Sequence, residues 1–434
     1  MKFQHPFKVL KKIPALLKLL IPILLIFLSG LGCSDRSRSN PIDPRNPDRD
    51  QINLGFNAFA GNGQVLLVWN PLDFDDLEGI RVQRFSSDLP DTVVLNDSIL
   101  SPGTTFFLDN TATNGVSYSY NLQFVLKGDT EKPKTLPDIA TPGEIFGWME
   151  LFDYGEMALM TPDFKDEIQR LDATFFDIQD IQIDPANQEL WILDRASHEI
   201  YRYTVSGEPI GEGATISSVA AFEFSRRGRT VWIAIKGDSG LLYHFQIGSG
   251  ELLFSQSTSL PVTSITVDNV RGDVWVGSSE PMVARVKMNE GKVVHYSHSE
   301  FVTPEGVVLG EQGTEAWILD TGSRKVFLFD DEDMVSKTST FSDPTSLTVN
   351  TTGDICWVAD YGSDMVYEID RSGAFTAQVS GLGRPWSLAY SEYDNTVYVS
   401  SESGLITKLA PGGEIIWQVQ HPDKPGIIAL QSPR

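Results

Sequence analysis

Seven times along this chain a strand core position recurs at a spacing of 40 to 43 residues: Glu150, Trp191, Trp232, Trp275, Trp317, Trp357 and Tyr398. Eight residues before each of the last six stands an apolar or aromatic residue: Ile183, Phe224, Val267, Leu309, Val349 and Tyr390. Strand-like alternation fills each unit, as in Met365-Val-Tyr-Glu-Ile-Asp370. Units of this size cannot bury an apolar face alone, so they must stack. The pattern predicts an all-β ring of small antiparallel sheets, a β-propeller, over residues 144–434.

The ends of the array set the number of blades. Glu150-Leu-Phe-Asp-Tyr-Gly155 aligns with Trp357-Val-Ala-Asp-Tyr-Gly362, and Met157–Met160 supplies a following strand. No inner strand precedes this unit, because Thr141-Pro-Gly143 lies where it should be. At the far end, Gly426-Ile-Ile-Ala-Leu430 reads as an inner strand with no second strand after it. Two fragments make one blade. The expectation is seven blades closed by pairing 426–431 with 146–172; a six-bladed ring with 144–172 packed outside is the alternative.

At 434 residues the chain exceeds one ordinary domain, and residues 53–143 follow a different pattern. Gln64-Val-Leu-Leu-Val-Trp69, Gly79-Ile-Arg-Val-Gln-Arg-Phe85 and Val116–Phe124 are short alternating strands separated by turns, which predicts a β-sandwich. Trp69, then Asp76-Leu-Glu-Gly79, then Asn114-Gly-x-x-Tyr-x-Tyr-x-Leu122 resemble the fibronectin type III domain. In that resemblance Tyr118 takes the tyrosine-corner position, its hydroxyl bonding back to the upstream backbone. The Trp-Val-Ala-Asp-Tyr-Gly phrase at 357–362 and Trp317-Ile-Leu-Asp-Thr-Gly322 resemble NHL and YVTN-type propeller repeats.

Residues 1–32 carry Lys2, Lys8, Lys11, Lys12 and Lys18 ahead of the apolar run Leu19–Leu28, the shape of a cleaved secretory signal. The following Ser29-Gly-Leu-Gly-Cys33 resembles the lipobox of bacterial lipoproteins, which implies lipidation of Cys33 as the first mature residue. Ser34 beside it implies, by the same resemblance, the outer membrane of a bacterial envelope. Residues 33–52 are polar and proline-rich, and they read as a flexible, lipidated tether. After cleavage Cys356 is the sole thiol, inside the apolar strand Ile355–Ala359, where an inert core cysteine is expected. A formal charge of −24 argues against nucleic acid or anionic lipid surfaces as partners. The membrane contact is then the lipid anchor alone.

Two sets of repeat positions are candidates for chemistry. Twelve residues before the landmarks come Gln179, Ala220, Thr263, Glu305, Thr345 and Trp386, with Gly426 for the composite blade. This set is expected to ring the channel mouth, with Arg384 beside Trp386 and the indole as an aromatic platform for a sugar or peptide. Three residues after the landmarks come Asp153, Asp194, Ile235, Ser278, Asp320, Asp360 and Ser401. Short polar side chains repeated at strand ends bond to turn amides, and repetition favours that role. The same aspartates could instead hold a cation such as calcium, so no cofactor is assigned. Gly237-Asp-Ser-Gly240 and Arg271-Gly-Asp273 fall in turns of the repeat, and His295 and His298 do not share a strand face.

The reading is an envelope-anchored, extracytoplasmic binding or scaffolding lipoprotein whose propeller face engages a protein, peptide or glycan partner. A propeller enzyme is the alternative, either a metal-dependent lactonase or a polysaccharide lyase or hydrolase. That would need carboxylates or histidines converging on the channel, for which Glu305 and the four aspartates are the candidates.

Overall fold

The computed structural model describes residues 54–431 apart from 62, 71, 73–75, 87–91, 129–132, 185–188, 205, 212–217, 226–228, 311 and 331–332. Cys33, the leader and the tether lie outside the described residues. The described chain is all-β, with only a single short helical turn at Tyr361–Ser363 among the described residues.

Beyond residue 144 the strands form seven sheets among the described residues. Five are four-stranded antiparallel meanders from one run of chain each. The fifth along the sequence joins Pro344–Val349, Ile355–Asp360, Met365–Asp370 and Phe375–Ser380 in that order. The first, beginning at Ile178–Ile183, has three strands, and Tyr203 on its outer strand bridges to Pro209. The seventh, or closing, sheet is composite. Its outer three strands are Phe146–Leu151, Glu156–Met160 and Glu167–Arg170, and its inner strand is Pro425–Gln431 from the other end of the chain.

Seven hydrophobic clusters lie between successive sheets, and the last cluster returns to the first, so the sheets close a ring as in a β-propeller. Each cluster contains one large aromatic residue from the second strand of the preceding sheet. These are Trp191, Trp232, Trp275, Trp317, Trp357 and Tyr398 for the six contiguous sheets. For the closing sheet it is Trp148 and not Glu150.

The pairing register agrees. Trp357 pairs with inner-strand Thr348 and Asp360 with Pro344, while Trp148 pairs with Ala429 and Leu151 with Pro425. The closing sheet is therefore offset by two residues from the alignment through Asp-Tyr-Gly. Six of the seven landmarks are tryptophan. Leu151, not Asp153, is the counterpart of Asp194, Asp320 and Asp360.

Residues 54–140 make a sandwich of a three-stranded and a four-stranded sheet. The first orders Asn57–Ala60, Val65–Val68 and Phe106–Asp109; the second orders Val93–Val94, Leu77–Ser86, Tyr118–Leu126 and Asp138–Ala140. Trp69, Ile80, Val82, Tyr120, Leu122 and Phe124 fill its core. The Thr113 amide donates to the Tyr118 hydroxyl at 3.2 Å, a bond from the upstream backbone to that ring.

The three-stranded sheet rests on the ring. Phe59, Leu66 and Val68 pack with Ile145 and Tyr393, and Leu430 of the closing strand joins them. The Gly143 amide donates to Gly61 O at 3.0 Å, and Thr105 Oγ1 bonds to Gln312 Oε1. A Cβ on Gly61 would come within 2.8 Å of Tyr393 Cβ, so glycine permits this approach. A continuous apolar contact of this kind holds the two parts together as one compact unit from Asn53 onward.

Candidate functional site

The inner strands decide what each end of the ring presents. In the sheets beginning at Ile178, Val219, Val262, Pro344, Pro385 and Pro425, pairing slips just after the first residue of the inner strand. Gln179, Ala220, Thr263, Thr345, Trp386 and Gly426 fall in this bulge. A bulged residue drops out of the ladder and leaves backbone groups in need of partners.

Side chains of the preceding sheet supply them. Gln179 Nε2 donates to Ala220 O at 2.9 Å, Thr263 Oγ1 to Glu305 O at 2.8 Å and Thr345 Oγ1 to Pro385 O at 3.5 Å. Trp386 Nε1 donates to Pro425 O at 2.7 Å, and Ser400 Oγ to Gly426 O at 2.6 Å. Glu305 accepts from Thr321 Oγ1 at 2.9 Å. The ring of positions found by spacing is therefore a hydrogen-bonded belt joining sheet to sheet. None of Gln179, Thr263, Glu305, Thr345, Arg384 or Trp386 lines the channel cavities described below.

Arg384 stands on the surface with a left-handed backbone, φ 62°. Its guanidinium lies 5.4 Å from the Tyr361 ring centroid and pairs with Glu402 at 3.2 Å. Trp386, half-buried, packs against Phe152 with ring centroids 4.8 Å apart. Phe152 and Tyr154 occupy a second-to-third-strand hairpin, while Phe176 and Val302 precede inner strands, so all four lie at the Trp386 end of the ring. They are 51%, 54%, 86% and 52% exposed respectively. Exposed apolar side chains thus share one end of the ring with acidic neighbours such as Asp153 and Glu402.

The aspartates do not point at a common centre. Asp194 accepts from the Phe176, Asp177 and Ala196 amides at 2.9–3.3 Å, and Asp320 from Val302, Thr303 and Ser323 at 2.7–3.0 Å. Asp360 accepts from the Ser342 and Asp343 amides and from Ser363 Oγ. Each carboxylate is buried and ties the hairpin after its strand to the loop that leads into its own sheet. Asp153 lies in an exposed hairpin, 3.6 Å from Lys424 Nζ. Among the described residues, no group of three or more His, Cys, Asp or Glu side chains is placed to hold a metal.

Two acids, one buried and one half-buried, break the repeat. Glu150 occupies the place held by Leu193, Ala234, Gly277, Leu319, Ala359 and Ser400 in the other sheets. It is buried, its Oε2 accepts the Ile427 amide at 3.0 Å, and burial pushes its pKa up to about 7. Asp180 stands on the first inner strand, and burial pushes it up to about 6. Its Oδ2 accepts from Gln182 Nε2 at 2.9 Å. Cys356 is buried, and burial raises its thiol pKa well above the ordinary value, so it is inert at neutral pH.

The cavities open at the opposite end from Trp386, where the sandwich sits. One of about 360 Å³ is lined by Asp180, Gln182, Glu223, Tyr390 and Ile428 of the inner strands and by Phe59 of the sandwich. A second, of about 230 Å³, shares Glu223, Phe224, Thr348, Tyr390 and Glu392 with it and continues across the channel. Spacing alone did not single out these residues. The available signal was an acidic or amide residue inside an apolar inner strand, as in Phe222-Glu-Phe224.

Comparison with protein-family models and with curated proteins finds no match to this chain.

Proposed function

We propose that this is an extracytoplasmic binding or scaffolding lipoprotein of the bacterial envelope, anchored through lipid on Cys33, whose ring engages a protein, peptide or glycan partner. The observation that carries the reading is the aromatic face around Trp386. Its indole is fixed by the bond to Pro425 O and by Phe152, and Tyr154 and Phe176 stand exposed on the same end. Rigid aromatic side chains offer large contact area at low entropic cost, which suits a sugar ring or an apolar peptide side chain. The acidic chain disfavours an anionic partner.

The three-over-four strand order and the Thr113–Tyr118 bond support the fibronectin type III resemblance of the sandwich. The ring of repeated sheets supports the NHL and YVTN-type resemblance. In this reading the sandwich sits on the far end of the ring from Trp386 and leaves the aromatic face open.

The test is an array of oligosaccharides and peptides probed with the full-length protein and with Phe176→Ala and Tyr154→Ala. Both side chains are more than half exposed, so their loss is expected to leave the unfolding midpoint unchanged. The expected result is a defined ligand class whose binding falls about tenfold in each variant. Equal binding by all three proteins would remove this face as the site.

A further inference from the structure

Four consecutive residues, Lys424 to Ile427, are each tied by a group from elsewhere in the ring. The Phe152 amide donates to Lys424 O at 2.9 Å, and Trp386 Nε1 to Pro425 O at 2.7 Å. Ser400 Oγ donates to Gly426 O at 2.6 Å, and Glu150 Oε2 accepts from the Ile427 amide at 3.0 Å. Pairing slips between Pro425 and Ile428, so this stretch leaves the ladder and depends on these ties. Two of them come from the aromatic pair, since the Phe152 ring packs on Trp386 with centroids 4.8 Å apart. The segment that anchors the Trp386 indole is therefore the segment that Glu150 holds from the neighbouring strand.

Of the tying side chains only Glu150 can ionise. It is buried where the other sheets carry Leu193, Ala234, Gly277, Leu319, Ala359 and Ser400. A Cβ on Gly426 would lie 1.9 Å from its Oε2, so the carboxyl fills space that glycine leaves. The charged groups on the elements around it are already engaged. Glu156 on the third strand pairs with Arg170, Asp153 of the hairpin lies 3.6 Å from Lys424, and Arg384 pairs with Glu402 on the sixth sheet. On the first sheet Asp177 lies 3.7 Å from Arg195, Asp194 holds turn amides and Asp180 holds Gln182. Strand Pro425–Gln431 carries no ionisable side chain.

Burial pushes the Glu150 pKa up to about 7; the Ile427 amide opposes the shift, and the negative charge of Asp177 adds to it. The folded carboxyl thus keeps its proton on the acid side of neutrality and becomes charged as pH rises through 7. Once charged it meets no cation among the described residues. Turning toward water relieves the charge and gives up the Ile427 amide.

We propose that residues 424–427 are a proton-sensitive clamp behind the aromatic face, closed while Glu150 is protonated and loosened when that proton is lost. Loosening frees the Pro425 carbonyl that fixes the Trp386 indole, so the face binds better on the acid side of neutrality. As regulation of binding, this rests on the aromatic face being the ligand site.

Hydrogen exchange of the full chain at pH 6 and pH 8, expressed as protection factors, tests the clamp without a ligand. Protection of residues 424–427 is expected to fall about tenfold more than that of the equivalent stretch 343–346 of the fifth sheet, and Glu150→Gln to abolish that difference. Acrylamide quenching, taken as the difference between the parent and Trp386→Phe, is expected to show a more accessible indole at pH 8, again not in Glu150→Gln. Equal loss of protection in the two sheets, or a pH effect that survives Glu150→Gln, overturns the clamp. The oligosaccharide and peptide array is then read at both pH values. Binding that falls about tenfold at pH 8 in the parent and not in Glu150→Gln supports the regulation, and binding equal at both overturns it. An array blank at both pH values overturns the ligand face, while exchange and quenching still decide the clamp.

Discussion

The fifth sheet, Pro344–Ser380, and the closing sheet carry the same strand order and reach it differently. The fifth is one run of chain, each strand joined to the next by a short turn. The closing sheet joins Phe146–Arg170 to a strand some 280 residues later, as in Trp148 Nε1 donating to Gln431 Oε1 at 2.8 Å. In the fifth sheet the Trp357 indole nitrogen is buried with no hydrogen-bond partner among the described residues, and the place two residues on is held by Ala359. In the closing sheet both the indole and Glu150 reach across the seam. Polar side chains thus cross the seam between two distant segments, where pairing must be specified without help from a short connection.

Truncation after Lys424 removes the seam and is the largest expected effect. It exposes the edge of Phe146–Leu151 and strips Ile428 and Ala429 from their clusters. The expected cost is several kcal/mol, a large part of the ordinary margin of about 5–15 kcal/mol, with aggregation through the open edge. Calorimetry of the truncated chain, with and without a peptide spanning residues 425–434, checks it. An unchanged midpoint would mean that face packing between sheets, not strand pairing, closes the ring.

Repeats were legible wherever one run of chain made one sheet, because alternation and a buried indole are local signals. The closing sheet misled for a physical reason. Asp153-Tyr-Gly155 resembles Asp360-Tyr-Gly362, but Asp360 ends a strand and Asp153 sits inside a hairpin after a strand that ends at Leu151. Its register is set by Pro425–Gln431, to which no local pattern refers.

A count of twelve residues places Gln179, Thr263, Thr345 and Trp386 at the starts of inner strands. Spacing, however, cannot reveal a bulge, and the bulge turns Gln179, Thr263 and Thr345 toward the neighbouring sheet's carbonyls. The aspartates at strand ends were legible as turn ties for the opposite reason, since Asp194, Asp320 and Asp360 bond only within their own sheets' loops. The channel wall of Asp180 and Glu223 needed the ring itself, because residues 43 apart meet there only once the first two sheets are packed.

Glu150→Gln sharpens the comparison by making the closing sheet electrically like the fifth. The folded carboxyl sits at about 7 against an ordinary 4.5, so between those values the folded chain keeps a proton that the unfolded chain has released. The group's contribution is fully present below about 4.5 and is lost as pH rises through 7. Gln cannot ionise and still offers an oxygen to the Ile427 amide. The variant is expected to gain roughly 2–3 kcal/mol over the parent at pH 8 and little at pH 4.5, read from urea unfolding at each pH. Equal differences at both pH values would show that Glu150 is not a buried ionisable group at the seam.

Gly426→Ala gives the smallest effect and isolates one contact. A Cβ there would lie 1.9 Å from Glu150 Oε2, whereas the same position in the sixth sheet carries Trp386 without obstruction. Gly426 does not have a left-handed backbone, so alanine adds no backbone strain and the clash is the whole expected cost, about 1–3 kcal/mol. In a Glu150→Ala background the obstructing carboxylate is gone, and the same substitution is expected to cost only a few tenths of a kcal/mol. The cycle is measured by urea unfolding at one pH. A coupling of about 1–2 kcal/mol would mean that the buried acid dictates the glycine across the seam. The absence of coupling would mean that the glycine answers to Ser400, whose hydroxyl bonds to its carbonyl, and that the closing sheet is locked from the sixth sheet and not from its own second strand.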